Sequence, residues 1–198
     1  MMLVELAPVE SAVLPVAELG AHLRLGTGFP DDGSEDAALE RYLRAAIAAV
    51  EARSGKALIR RGFSLTLSGW REPDGQALPV APVTEVTAVT IRDHAGAETV
   101  VDPARYALVK DSFRPRLAAI GPALPLVPEA GSVELRFEAG YDASWAGVPP
   151  ELCQAVMLLA AHYYEQRADA AGVEGAMPFG VMALIEHFRT VRTIGGRR

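Results

Sequence analysis

The sequence predicts an α+β protein, a helical bundle of about four helices with a β-rich insertion between the second and third helices. Two stretches near the start and two near the end carry apolar residues at helical spacing, whereas the middle alternates apolar and polar residues with a period of two. Most of the 14 prolines fall between Pro73 and Pro150, which suits short strands and loops and excludes long helices there. The division expected from these patterns is 1–58 for the N-terminal helices, 59–147 for the β-rich insertion and 148–198 for the C-terminal helices with a tail.

Leu14 to Leu25 places Val16, Leu19 and Leu23 at helical spacing, with Pro15 in the first turn and Gly26 as the stop. After a loop, Asp32 with Glu35 resembles a capping box, and Ser34 is an alternative cap for a helix starting near Gly33 or Ser34. In that helix Leu39, Tyr42, Leu43, Ala46, Ile47 and Val50 form one stripe, and Gly55 ends it. Phe63, Leu65 and Leu67 then alternate with Ser64, Thr66 and Ser68 as a half-buried strand reaching Trp70. The following REPDGQ reads as turn. Val83 to Ile91 is expected to form a hairpin with Thr99 to Val101 across the turn at Asp93 to Gly96. Tyr106 to Val109 and Arg116 to Ile120 make a second expected pair, and Val133, Leu135 and Phe137 a further strand.

Val148 to Asp169 is the strongest helix in the chain. Pro149 and Pro150 occupy its first turn, Glu151 sits at the positive end of the dipole, and Gly172 is the expected stop. Leu152, Val156, Leu159 and Tyr163 form its stripe, widened by Ala155, Leu158 and His162, so this helix should be central. A last helix opens at Pro178, with Val181, Leu184, Ile185, Phe188 and Val191 in a narrow stripe.

The chain of 198 residues is long enough for a substantial core. Half of it is hydrophobic and 22% is charged, the composition of a folded globular protein. A formal net charge of −6 argues against a surface that grips phosphates, which needs clustered Lys and Arg. Cys153 is the only cysteine, so an internal disulfide is excluded. The N-terminus has Glu5 and Glu10 but no Lys or Arg before Arg24, and no apolar run approaches the ~20 residues that span a bilayer. The expectation is a soluble protein of the cytoplasm, without a membrane partner.

Catalytic chemistry is hard to find. His22, His94, His162 and His187 lie in separate elements, and none joins another ligand at metal spacing, so no metal and no cofactor is expected. Gly26 to Gly28 lacks the strand and the Gly-Lys-Ser/Thr end of a phosphate loop. Ser34, Ser54, Ser68 and Ser144 have no nucleophile-elbow context, and Cys153 has no cationic neighbour along its helix. The reading is non-enzymatic. The C-terminal segment is more informative: beyond Glu186 no acidic residue occurs, while Arg189, Arg192, Arg197 and Arg198 are basic. A solvated helix end would account for such residues. The sharper expectation is a docking peptide made by Val181, Leu184, Ile185, Phe188, Arg189, Arg192, Ile194, Gly195, Gly196, Arg197 and Arg198.

The ordered set PVAELGAHLRL, DGSEDAALERYLRAAIAAVEARSGKAL, GYD, VPPELCQAVMLLAAHYYEQRAD and MPFGVMALIEHFRTVR, from about Leu14 to Arg192, resembles the head-to-tail connector or adaptor proteins of tailed phages and gene transfer agents. The resemblance implies a helical bundle whose copies form a dodecameric ring beneath the portal protein, with a stopper or other neck protein on the tail side. It also implies that the C-terminal segment named above packs on the portal. Short members of that family are all-helical, so the β-rich insertion is a departure. DNA would pass through the channel without specific binding, and an acidic subunit would repel its phosphates. Rival readings are a stopper or tail-completion protein of the same particle, and a small hydrolase using carboxylates such as Glu165 or Glu138. A nucleic-acid-binding regulator conflicts with the charge.

Overall fold

The computed structural model describes residues 1–24, 35–166 and 177–189, and the chain divides into two compact units. One consists of Met1–Val9 with Ile59–Ala143, the other of Glu10–Leu58 with Ser144–Arg198. The first unit is built of strands and the second of helices, so the fold is α+β with a β-rich insertion between the second and third helices.

In the strand unit, β1 (Met2–Glu5), β2 (Arg61–Leu67), β4 (Val83–Arg92), β5 (Glu98–Val100) and β8 (Ser132–Ala139) form an antiparallel sheet in the order β1-β2-β8-β4-β5. A second sheet, in the order β3-β7-β6, joins β3 (Gly75–Ala77), β6 (Tyr106–Val109) and β7 (Arg116–Ala119). The expected hairpin over Asp93 is present, and so is the expected pairing of 106–109 with 116–120, its second strand ending one residue early at Ala119. Period-two alternation gives the five-stranded sheet one apolar face: Leu65, Leu135 and Val89 share a register row, as do Phe63, Phe137 and Val86. Phe63 and Phe137 stack with ring centroids 5.7 Å apart. Two register shifts in β4, between Val83 and Glu85 and between Val86 and Ala88, re-aim its side chains relative to β8.

The opposite face is polar. Ser64 Oγ donates to Glu134 Oε1 at 2.7 Å, and Arg136 Nε donates to the same oxygen at 2.9 Å. These two bonds hold the Glu134 carboxyl below its ordinary value of 4.5, the Arg136 bond contributing most. A carboxyl whose folded pKa is depressed adds stability above the ordinary value and loses it as pH falls through the depressed one. We therefore expect acid titration of the strand unit below pH 4.5 to be shallower in Glu134→Gln than in the unsubstituted chain. Circular dichroism against pH reads this directly.

Two findings differ from the sequence expectation in this unit. Residues 1–9 belong with the strands rather than with the N-terminal helices, because the apolar run Met1 to Leu6 has no cap or charged first turn and instead pairs along β2. Within REPDGQ, Gly75 and Gln76 open β3, a strand defined by its pairing with β7. Gly140 closes the unit after β8 at φ 135°, where an added Cβ would lie 2.3 Å from the Arg60 Cα; only glycine fits so close a backbone approach.

The helical unit comprises α1 (Val16–His22), α2 (Asp36–Ser54), α3 (Pro150–Glu165) and α4 (Phe179–Ile185). α1 is shorter than expected: Pro15 precedes it, and Arg24 at φ 53° lies just past its end. The proposed stop at Gly26 and the caps at Asp32, Gly33 and Ser34 lie outside the described residues. α2 ends at Gly55, which has the left-handed φ of 72° that the sequence suggested. Leu39, Leu43, Ala46, Ile47 and Val50 of α2 are buried, as are Leu152, Ala155, Val156, Leu159 and Ala160 of α3. These faces pack the two helices together, and α1 and α4 also pack on this pair. Burying each large aliphatic side chain stabilises the unit by about 1.5–3 kcal/mol. α3 starts as expected, with Pro149 as its cap and the N–H groups of Leu152 and Cys153 donating to the Pro149 carbonyl, both at 3.0 Å. Its expected extension to Asp169 and the stop at Gly172 lie outside the described residues.

Candidate assembly surfaces

α4 follows Pro178, whose extended ψ of 141° sets the chain into the helix. Val181 and Ile185, four residues apart, are both fully buried, and α4 packs on α3 and α2. Burial places these two side chains in the protein's own core, where they anchor α4, rather than on a free docking stripe. Leu184 and Phe188 are half-buried, and the His187 and Phe188 rings lie 4.0 Å apart. Arg189 is half-buried and forms an ion pair with Glu186 at 2.9 Å within a single turn that continues from α4. Phe179, at the start of α4, is 87% exposed. Among the described residues, Phe179, Gly180, Ala183, Glu186 and His187 are exposed at this end, with Leu184, Phe188 and Arg189 partly open. Val191, Arg192, Ile194, Gly195, Gly196, Arg197 and Arg198 lie outside the described residues.

A second exposed apolar element occurs in the strand unit. Every residue of β1 is exposed; Met2 and Val4, followed by Leu6, lie on one face of the strand and Leu3 and Glu5 on the other. Glu5 is engaged by Arg61, whose Nε lies 2.8 Å from its Oε1 and whose guanidinium sits 5.0 Å from the Phe63 ring centroid. The sequence reading missed this element; the available signal was the run of apolar residues at the start with no helical period.

Cys153 is half-buried in α3 with its Sγ near the carbonyls of Val148 (3.6 Å) and Trp145 (3.9 Å). Burial, followed by the charge of Glu18, pushes its thiol up to about 11, which disfavours the nucleophilic thiolate. Glu40 is held below the ordinary carboxylate range by hydrogen bonds from Ser11 and Arg44, a pin between the turn at Ser11–Val13 and α2. Glu138 and Glu165 are both exposed. Among the described residues no group of three or more His, Cys, Asp or Glu side chains could hold a metal ion, and no helix is long and apolar enough to cross a membrane.

No protein-family model matches the chain, and no curated protein matches it. Solved structures do. The chain is similar to a chain in the neck of an empty gene transfer agent particle computed with C6 symmetry, at 58% identity and a TM-score of 0.90 over 100% of both chains. It is similar at 58% identity and a TM-score of 0.88 to a chain in the virion of a native gene transfer agent particle, again over 100% of both. A chain in the neck of a native particle computed with C12 symmetry matches at 54% identity, with a TM-score of 0.85 and 100% of both chains covered.

Proposed function

This chain belongs to the family of neck proteins of gene transfer agent particles, and on that premise we propose that it is the head-to-tail connector, or adaptor, subunit of such a particle. Its role there is structural and non-catalytic. Twelve copies surround the axis beneath the portal, the stopper or another neck protein follows on the tail side, and DNA passes through the bore. The observation that carries this reading is the full-length match, at 58% identity, to a chain of a particle neck. The C6 and C12 symmetries of the similar neck structures fit a ring of twelve, since a twelvefold ring contains the sixfold one. The helical unit favours an adaptor over a strand-dominated stopper.

The net charge of −6 suits a bore that repels phosphates and lets DNA slide. Portal contact is assigned to the α4 end: Leu184, Phe188 and Arg189, with Arg192, Ile194, Gly195, Gly196, Arg197 and Arg198 completing it, and Val181 and Ile185 holding the helix in place. Electron microscopy of the purified full chain, alone and with portal, tests the assignment. Twelve-subunit rings seated on portal are the expected result, and deletion of 193–198 should abolish their co-sedimentation while the monomer stays folded. A chain that remains solitary with portal present would overturn the adaptor reading.

A further inference from the structure

The five-stranded sheet has two open edges, β1 and β5, and its solvent face is patterned from one to the other. One register row crosses the sheet as Met2, Thr66, Glu134, Thr90 and Val100. The three inner positions are polar, while the two ends are apolar and open, Met2 at 59% and Val100 at 71% exposure. The next row runs from an exposed apolar residue, Val4, on the β1 edge through Ser64 and Arg136 to Ala88. Both margins therefore carry exposed apolar side chains on one face of the sheet, Met2 and Val4 on β1 and Val100 on β5, where Glu98 shares that face.

The backbone agrees. The Leu6 N–H donates to the Gly62 carbonyl at 2.9 Å, so in an antiparallel ladder Met2, Val4 and Leu6 bond inward and the amides of Leu3 and Glu5 face outward. On the other margin the Val101 N–H donates to the Val89 carbonyl at 2.8 Å, which turns the amides of Glu98 and Val100 outward. β1 carries no lysine, proline or bulge, its one charge, Glu5, is paired with Arg61 of its own sheet, and Glu98 of β5 is paired with Arg92.

Resting on the ring reading above, we propose that β1 of one subunit adds to β5 of the next, so that the sheet continues from copy to copy around the ring. Copies related by rotation about one axis meet through two different patches, and β1 and β5 are such a pair. Four antiparallel pairings separate them within the sheet, so they run in the same direction and a small rotation brings them together as a parallel pair. Met2 and Val4 then cover Val100, and the outward amides of both edges are satisfied.

The test uses the full chain with portal. Leu3→Pro and Val100→Pro each delete one outward N–H and leave the inward ladder of the same strand intact. Both variants are expected to stay folded by circular dichroism and to lose rings in electron micrographs. Because proline could disturb the fold, a second arm joins Met2→Cys with Val100→Cys in a Cys153→Ala background and applies a short thiol cross-linker. Expected are covalent oligomers extending beyond the dimer on denaturing gels, and none from either single cysteine. Rings that persist in both proline variants, or rings whose paired cysteines give no oligomers, would overturn the edge-to-edge contact and leave the ring reading standing. If the unsubstituted chain forms no ring with portal, the ring reading falls and this contact falls with it.

Discussion

Truncating Phe137 to alanine is expected to destabilise the strand unit by about 3–5 kcal/mol, the largest loss of any single apolar truncation in this unit. Phe137 lies on β8, the middle strand of the five, is 1% exposed, and stacks on Phe63 of the neighbouring strand. The cavity would open where the sheet has least freedom to collapse, because β2 and β4 hold β8 from both sides along its whole length. Urea denaturation followed by circular dichroism measures the loss. The double variant with Phe63→Ala should cost less than the sum of the two singles, since the ring stacking, about 0.5–1.5 kcal/mol, is removed only once. A loss under about 1 kcal/mol for Phe137→Ala would mean that the two-faced sheet described above is not the stabilising feature of this unit.

Phe137 was legible in the sequence, and so were most of the elements around it. Alternation over Val133, Leu135 and Phe137 names a strand because a pleated backbone sends successive side chains to opposite faces. Gly55 announces a helix end because it alone adopts the left-handed turn without strain, and the two prolines before Glu151 mark a start. The sheet order was not legible. β8 is last in the chain yet lies between β2 and β4, and no local pattern specifies so distant a pairing. Without that order the edges are unknown, and with them the meaning of an apolar residue at position 2 and another at position 100. β1 itself is a short apolar run of the kind whose state is decided by its partner strand.

The same limit applied to the last helix. Spacing grouped Val181, Leu184, Ile185, Phe188 and Val191 on one helical stripe, whereas α4 ends at Ile185, Phe188 lies in the 3-10 turn after it and Val191 lies outside the described residues; nor does a stripe say which of its residues meet the chain's own core. The structure divides it: Val181 and Ile185 turn inward, while Leu184 and Phe188 are left partly open. The ordered set of segments from Leu14 to Arg192 resembles connector proteins of tailed phages and gene transfer agents alike, and the similarity to solved gene transfer agent structures separates the two.

That division leads to opposite expectations for two neighbouring substitutions. Ile185→Ala removes a side chain with no exposed surface from the contact of α4 with the bundle, and should lower stability by about 2–5 kcal/mol. Phe188→Ala removes a half-exposed ring and should cost the monomer less, about 1–2 kcal/mol. Portal association should rank them differently. If the outer side of α4 and of the turn that follows it is the docking surface, Phe188→Ala weakens co-sedimentation with portal at least tenfold at temperatures where the monomer is fully folded, because an aromatic anchor contributes more to binding than to folding. Ile185→Ala, by contrast, should weaken association only as far as α4 detaches, so that its effect grows on warming and follows the thermal unfolding of the helical unit. Isothermal binding measured at two temperatures, beside the melting curve of each variant, separates a side chain that touches the portal from one that holds the touching surface in place. Equal and temperature-independent losses in both variants would assign Ile185 to the interface, and an unaltered affinity in Phe188→Ala would move the portal contact off this helix altogether.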